Sequence, residues 1–213
     1  MRGLLTRDSK IGEKGIRELE MGAASSRSMT GYNPLETQGW MNYDECQWLY
    51  EMGQRYKTIV EVGSWAGKST HALLTGNNKK FPKEGSVTAV DTWLGSPGEL
   101  ATTHSAILTQ NIYQLFLDNV GCYLQHNLRV IRDYSVMAAL RFPRASVEMV
   151  FIDADHSFEA VYADLVSWIP VTTKMICGHD VDTDGVRDAL GKVFGVGGYR
   201  RTGVGSIWAK EIR

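Results

Sequence analysis

Five stretches of this 213-residue chain carry residues able to do chemistry, and each follows a short apolar run. They are Glu61-Val62-Gly63, Asp91-Thr92-Trp93, Asp133-Tyr134-Ser135, Asp153-Ala154-Asp155-His156 and Gly178-His179-Asp180. Carboxylates and imidazoles exchange protons and bind cations, and a glycine lets backbone come close to a ligand. The first stretch continues as EVGSWAGKST over residues 61–70, which nearly spells the phosphate-binding G-x-x-x-x-G-K-[ST]. Its spacing excludes that motif. Only three residues separate Gly63 from Gly67, and the position one earlier is Val62, so the loop is one residue too short to wrap a phosphate. Glu61 would also repel phosphates, whereas it suits a cationic or amine-bearing ligand.

The elements that must position these groups follow from periodicity. Tyr43, Cys46, Leu49, Tyr50 and Met52 are spaced for an amphipathic helix ending near Gly53. KTIVEVG reads as a buried strand, and GKSTHALLTGN as a helix stopping at Gly76-Asn77. The alternation repeats with strands at 86–91, 128–133, 147–155 and 173–181 and helices at 101–118, 135–142, 157–169 and 182–195. Ser135 is expected to start the third of these helices after the first, and Asp182 or Thr183 to cap the last. The tail GYRRTGVGSIWAKEI reads as two strands joined around 203–205.

Strands alternating with helices imply an α/β fold, Rossmann-like and doubly wound. Its seven-stranded sheet is mostly parallel, with a C-terminal antiparallel hairpin. Residues 39–213 form that domain. Residues 1–38 are polar and aperiodic apart from a short helix near 12–21, and are expected to be a partly flexible extension. In such a sheet, ligands bind beyond the carboxyl ends of the strands. All five chemistry-bearing stretches sit there, and together they form a ring.

Bulk properties narrow the partners. The chain is 43% hydrophobic and 22% charged with a net charge of −1, so it has no basic footprint for nucleic acid. Cys46, Cys122 and Cys177 are odd in number and widely spaced, which fits reduced cytoplasmic thiols better than disulfides or a zinc site. No apolar run approaches a membrane span, and MRGLLTRDSKIGEKGIRELE lacks the apolar stretch of a secretory signal.

Two nucleotide-containing ligands compete for the glycine loop. A dinucleotide site wants G-x-G-x-x-G, and GSWAGK lacks the second glycine. Asp91 suits a ribose diol in either case. The set of Glu61, the Gly-x-x-x-Gly turn and Asp91 resembles class I S-adenosylmethionine-dependent methyltransferases. The resemblance extends through VEVGSWAGKST, VTAVDTWLGS, FIDADHSFEAVYADLVSWIP and GHDVDTDGVRDAL to the bacterial small-molecule O-methyltransferase-like branch, related to macrocin and sugar O-methyltransferases and to cephalosporin hydroxylase-type methyltransferases. It covers about residues 40–210.

That resemblance implies a cofactor, S-adenosyl-L-methionine, and a set of residues. The loop residues Glu61, Gly63, Ser64, Trp65, Gly67, Ser69 and Thr70 would hold the amino acid part of the cofactor. Asp91, Thr92 and Trp93 would hold the ribose, Asp133, Tyr134 and Ser135 the adenine, and Asp153 would border the cofactor. It also implies transfer to a small-molecule or sugar-bearing acceptor, with Asp153, His156, His179 and Asp180 as catalytic candidates and Asp155 beside them. Relatives acting on catechols or sugars hold Mg²⁺ at these strand ends, which would make Asp153 and Asp180 its ligands here. His179-Asp180 departs from the Asp-Asn pair usual in the catechol enzymes, and Mg²⁺ prefers oxygen. The metal-free alternative makes His156 or His179 a general base with an ordinary pKa of about 6.5. His156 could instead N-cap the next helix, Lys68 is expected to be a solvated first-turn residue, and Trp93 is either core or a wall of the site. Trp40, Tyr43 and Trp48 are candidates to lid the acceptor. A silent accessory protein and an NAD(P)-binding protein are the rival functions, and a homodimer is compatible with the fold.

Overall fold

The computed structural model describes residues 37–96, 98 and 104–212. The extension at 1–38, with its short helix near 12–21, lies outside the described residues apart from Thr37 and Gln38, as does the start of the helix expected at 101–118.

Helix α1 (Tyr43–Arg55) begins with a reciprocal cap. Asn42 Oδ1 accepts from the Glu45 N–H at 3.0 Å, and Glu45 Oε2 accepts from the Asn42 N–H at 2.9 Å. Strand β1 (Thr58–Val62), helix α2 (Lys68–Lys80) and strand β2 (Ser86–Asp91) follow. Next come helix α3 (Ile112–Val120), strand β3 (Leu128–Arg132), helix α4 (Ser135–Ala139) and strand β4 (Val147–Ile152). Helix α5 (Phe158–Trp168), strand β5 (Thr172–Gly178), helix α6 (Asp184–Phe194) and strands β6 (Arg200–Arg201) and β7 (Trp208–Glu211) complete the chain.

The strands form one seven-stranded sheet in the order β3-β2-β1-β4-β5-β7-β6. The first five are parallel, and β7 runs antiparallel to both β5 and β6. The order reverses between β1 and β4, which opens a crevice above their carboxyl ends. Side chains alternate between two cores. Ile59, Met149, Phe151 and Cys177 pack with Leu49, Leu73 and Phe116 on one face, while Val60, Val62, Val150 and Ile176 pack with Leu165, Trp168 and Leu190 on the other. All three cysteines are free thiols. Among the described residues no helix is long and apolar enough to cross a membrane.

Several element ends differ from expectation. Gly53 and Gly76 do not stop their helices. A Cβ on Gly53 would lie 2.4 Å from the Leu73 carbonyl oxygen, and one on Gly76 would lie 2.0 Å from that of Tyr50. Both glycines therefore mark where α1 and α2 cross in close contact, and α2 runs on to Lys80. The helix expected at 101–118 is divided: Ser105–Leu108 is a 3-10 turn, and α3 starts anew where Asn111 Oδ1 accepts from the Gln114 N–H. The strands at 147–155 and 173–181 end earlier, at Ile152 and Gly178, and α4 starts at Ser135 as expected but ends at Ala139.

Candidate active site

The crevice is a cavity of about 590 Å³ bordered by the ends of β1 to β5. Gly63 builds its floor. The residue sits at φ +87°, and a Cβ there would fall 2.0 Å from the Asp153 carbonyl oxygen, so β1 and β4 can approach only with glycine. Gly67, at φ +88°, caps α2 against Phe116 and Val120 and does not border the cavity.

Asp91 organises the loop. Its Oδ2 accepts from the Ser64 and Trp65 N–H groups, each at 2.8 Å, and its Oδ1 accepts from the Trp93 N–H at 2.7 Å. Trp65 (φ 45°) and Trp93 (φ 54°) are non-glycine residues in left-handed backbone, a conformation that costs about 1–3 kcal/mol and that the shared carboxylate holds in place. Trp93 is core. It packs on Tyr113 and Phe116, donates from Nε1 to the Trp65 carbonyl at 2.8 Å, and is absent from the cavity lining. Trp65 borders the cavity and stacks on His104 at 4.5 Å, with Trp40 tilted against it at 5.2 Å. Of the three aromatic lid candidates, Trp40 alone borders the cavity.

Glu61 departs from its expected place. It is fully buried beneath the loop and does not border the cavity. Its Oε2 accepts from Ser64 Oγ at 2.7 Å and from Thr70 Oγ1. Burial pushes its carboxyl up to about 7, although the hydroxyls of Ser69, Thr70 and Ser64 pull it back. Thr70 is likewise buried under the loop. The direct contact to a ligand expected of Glu61, Gly67, Thr70 and Trp93 is thus replaced by support of the loop. Gly63, Ser64, Trp65, Ser69, Asp91, Thr92, Asp133, Tyr134, Ser135 and Asp153 all border the cavity.

At the β3 end, Asp133 accepts from the Tyr134 N–H at 2.8 Å and from Arg141 Nη2. Its own N–H donates to the Asp91 carbonyl at 3.0 Å, so the two strand ends are stitched together. Ser135 Oγ accepts from Trp168 Nε1 at 2.8 Å.

The β4 and β5 ends bring charged side chains together. His156 Nε2 lies 3.1 Å from Asp180 Oδ2 and 3.7 Å from Asp153 Oδ1. His179 Nδ1 lies 3.0 Å from Asp180 Oδ2 and 3.7 Å from Asp153 Oδ1. On its other side, His179 Nε2 meets Glu45 Oε1 at 2.8 Å and Ser206 Oγ at 2.9 Å. Burial pushes both imidazoles down, but the surrounding carboxylates outweigh it: Asp153 and Asp180 lift His156 to about 11, and Asp180, Glu45 and Asp153 lift His179 to about 10. Asp180 is correspondingly held far below the usual carboxylate range, burial being overcome by the two imidazoles. An imidazole held protonated cannot take a proton at neutral pH, which corrects the expectation of a histidine base near 6.5. Nor does His156 cap the next helix. Ser157 does, accepting from the Ala160 N–H, while Asp155 Oδ1 accepts from the Ser157 N–H at 2.8 Å.

The acids expected to hold Mg²⁺ do come together. Among the described residues, Asp153, His156 and Asp180 offer ligand atoms within 4.8 Å of one another. Mg²⁺ takes an oxygen shell. The third donor here is a nitrogen, a second imidazole adjoins the same carboxylates, and the set does not fit that ion.

Sequence reasoning missed several lining or supporting groups. Lys68 is the first residue of α2 as expected and is half-buried, and it also borders the cavity, its Nζ donating to the Gly39 carbonyl at 3.2 Å. Glu45 and Ser206 support His179 from residues far away in sequence, which nothing local announces. Asp164 borders the cavity and is 5% exposed. Its signal was an acid on the same helical face as Val161, Leu165 and Trp168.

Comparison with known proteins agrees with this geometry. No curated protein matches the chain. Among solved structures, CalS11, a calicheamicin methyltransferase, shares the fold with a TM-score of 0.60 at 14% identity, covering 99% of each chain. An O-methyltransferase from Bacillus cereus in complex with SAH does so with a TM-score of 0.51 at 16% identity, covering 94% of this chain and 90% of that one. A family model described as a methyltransferase domain matches residues 60–181, from within β1 to just past Asp180, and so includes the glycine loop, Asp91 and the acid–imidazole cluster. That span is more than half of the chain, and the protein belongs to the methyltransferase-domain family.

Proposed function

We propose that this methyltransferase uses S-adenosyl-L-methionine and transfers the methyl group to a hydroxyl oxygen of a small-molecule acceptor, in the cytoplasm, to which its three free thiols are suited. One observation carries this reading. A single cavity has a glycine loop pinned by a diol-competent acid on one side and a cluster of carboxylates and imidazoles on the other.

The cofactor, when bound, supplies an electrophilic methyl on a sulfonium. The protein's own groups do the rest. Gly63 and Ser64 leave room for backbone contact with the amino acid part, and Asp91 keeps an acceptor site on Oδ1 to which a ribose hydroxyl can donate. Trp40, Trp65 and His104 wall the approach of the acceptor and exclude water. The acceptor oxygen must lie about 3 Å from the methyl carbon, in line with the breaking bond. Asp153, at the junction of loop and cluster, is the carboxylate that takes the hydroxyl proton. His156 and His179, held protonated, stabilise the charge developing on that oxygen. No step is assigned to Mg²⁺.

Calorimetric titration with S-adenosylhomocysteine, followed by turnover on a panel of phenols and sugar hydroxyls, tests this. Binding in the micromolar range is expected, and Asp153→Asn should lower kcat at least 100-fold while leaving that affinity within a few-fold. Absence of binding at millimolar ligand overturns the cofactor, and undiminished turnover of Asp153→Asn overturns the base.

A further inference from the structure

Glu45 is buried and does not border the cavity, yet three separated parts of the chain converge on its carboxylate. Oε2 accepts from the Asn42 N–H at 2.9 Å, which fixes the first turn of α1. Oε1 accepts from His179 Nε2 at 2.8 Å and from the Ser206 N–H at 3.1 Å. The loop joining β6 to β7 is shaped around that second oxygen. Gly205 stands there at φ +49°, and a Cβ on it would fall 1.8 Å from Glu45 Oε1. A helix cap needs Oε2 alone, so capping leaves the socket around Oε1 unexplained. Burial pushes the Glu45 carboxyl up, but the hydrogen bonds from His179, Asn42 and Ser206 outweigh it and hold it below the usual carboxylate range. It is therefore ionised at neutral pH, a pure acceptor.

An ionised carboxylate against Nε2 keeps a hydrogen on that nitrogen whatever the charge of the ring. Nδ1 is then the atom turned to the cluster, 3.0 Å from Asp180 Oδ2 and 3.7 Å from Asp153 Oδ1. Bonded at both edges, the ring cannot flip. Ser206 Oγ, 2.9 Å from Nε2, also accepts from the Asp180 N–H at 3.2 Å and so braces a non-glycine residue in left-handed backbone at φ 55°. The other oxygen of Glu45 acts on the opposite wall. Residues 38–41, Trp40 among them, border the cavity immediately before the Asn42 cap. One side chain thus ties the wall that meets the acceptor to the imidazole that faces it.

We propose that Glu45 is a positioning residue for methyl transfer, joining the cavity wall at Trp40 to His179 and holding that imidazole with Nδ1 toward Asp153 and Asp180. The assignment rests on the methyl-transfer reading, in which His179 stabilises the acceptor oxygen. It follows that an amide in place of the carboxylate keeps the cap and loses the orientation. In Glu45→Gln the amide oxygen still accepts from Asn42, and the N–H₂ group then confronts the His179 Nε2–H and the Ser206 N–H. The ring must turn or give up that hydrogen.

Three measurements on the full chain read this: kinetics with whichever phenol or sugar hydroxyl of the panel wild type methylates fastest, calorimetry with S-adenosylhomocysteine, and imidazole proton–nitrogen NMR correlations. Glu45→Gln should lower kcat about 10- to 100-fold, raise the acceptor KM several-fold and leave S-adenosylhomocysteine affinity within a few-fold. The hydrogen-bonded Nε2–H signal of His179 should vanish or move upfield, which a loss of stability alone does not produce. Gly205→Ala, whose Cβ pushes the carboxylate aside without altering Glu45, should give the same pattern and serves if the first variant does not fold. Turnover of Glu45→Gln close to wild type, an unmoved Nε2–H signal, or S-adenosylhomocysteine affinity that falls in step with kcat overturns the assignment while leaving the methyl-transfer reading in place. Failure of wild type to bind S-adenosylhomocysteine, or to methylate any member of the panel, overturns that reading, and this assignment with it.

Discussion

At the β1–β2 end of the cavity, carboxyl groups are held by parts of the chain that cannot move far: Asp91 by three backbone N–H groups, and Glu61 through Oε2 alone by two hydroxyls beneath the loop. At the β4–β5 end, Asp153 and Asp180 are met by His156 and His179, and His179 leans on Glu45 of α1 and Ser206 of the C-terminal loop. The first end uses charge to set the shape of backbone. The second uses side chains to hold charge in an accessible place. A ligand that needs a fixed outline belongs at the first, and a step in which charge develops belongs at the second.

The contrast can be broken most severely at the glycine where the two ends meet. Gly63→Ala sets a Cβ against the Asp153 carbonyl and forces alanine into left-handed backbone. A loss of about 4 kcal/mol or more, or failure to fold, is expected in thermal or urea denaturation.

Glu61 sharpens the contrast from beneath. Its folded-state pKa lies above the ordinary carboxylate value, so its contribution to stability is whole below about 4.5 and is lost as pH rises through about 7. Across that window the difference is roughly 3 kcal/mol for a group this deeply buried. Glu61→Gln should abolish that decline, which melting temperatures between pH 4.5 and 8 would register.

The histidine end has the same sign in a higher window. His156 and His179 are raised, so their contribution is whole below about 6.5 and is lost toward about 10–11. Asp180→Asn should bring both imidazoles down by more than one unit in an NMR titration and cost about 1–2 kcal/mol at neutral pH, a modest figure because the cluster is partly solvated. A smaller effect is expected at the loop. Asp91→Asn retains one good acceptor for three donors and should cost about 1 kcal/mol, while weakening S-adenosylhomocysteine about 10-fold or more. Wild-type-like affinity in that variant would remove Asp91 from the ribose.

Much of this was open to inspection in the chain itself, for reasons that are local. Strands β1, β2, β4 and β5 are apolar runs ending in polar residues, and Thr183, one of the two residues expected to cap the last helix, stands at its N-cap. Other features had no local signature. Gly53 and Gly76 look like helix stops because the helix they press against is elsewhere in the sequence. The pairing of Glu45 with His179 spans 134 residues. Asp164 was visible only as a lone acid on an apolar face.

What the sequence determined alone was the alternating order of elements and the row of polar residues at the strand ends, because periodicity and turn chemistry act over a few residues. Whether a given acid meets a ligand, a backbone or an imidazole was decided by the tertiary structure. Burial and the approach of side chains from distant elements shift a carboxylate or an imidazole by several units, and neither quantity exists until the sheet has closed its two cores. Glu61 and Asp180 illustrate it: two acids at strand ends, pushed in opposite directions by what folded around them.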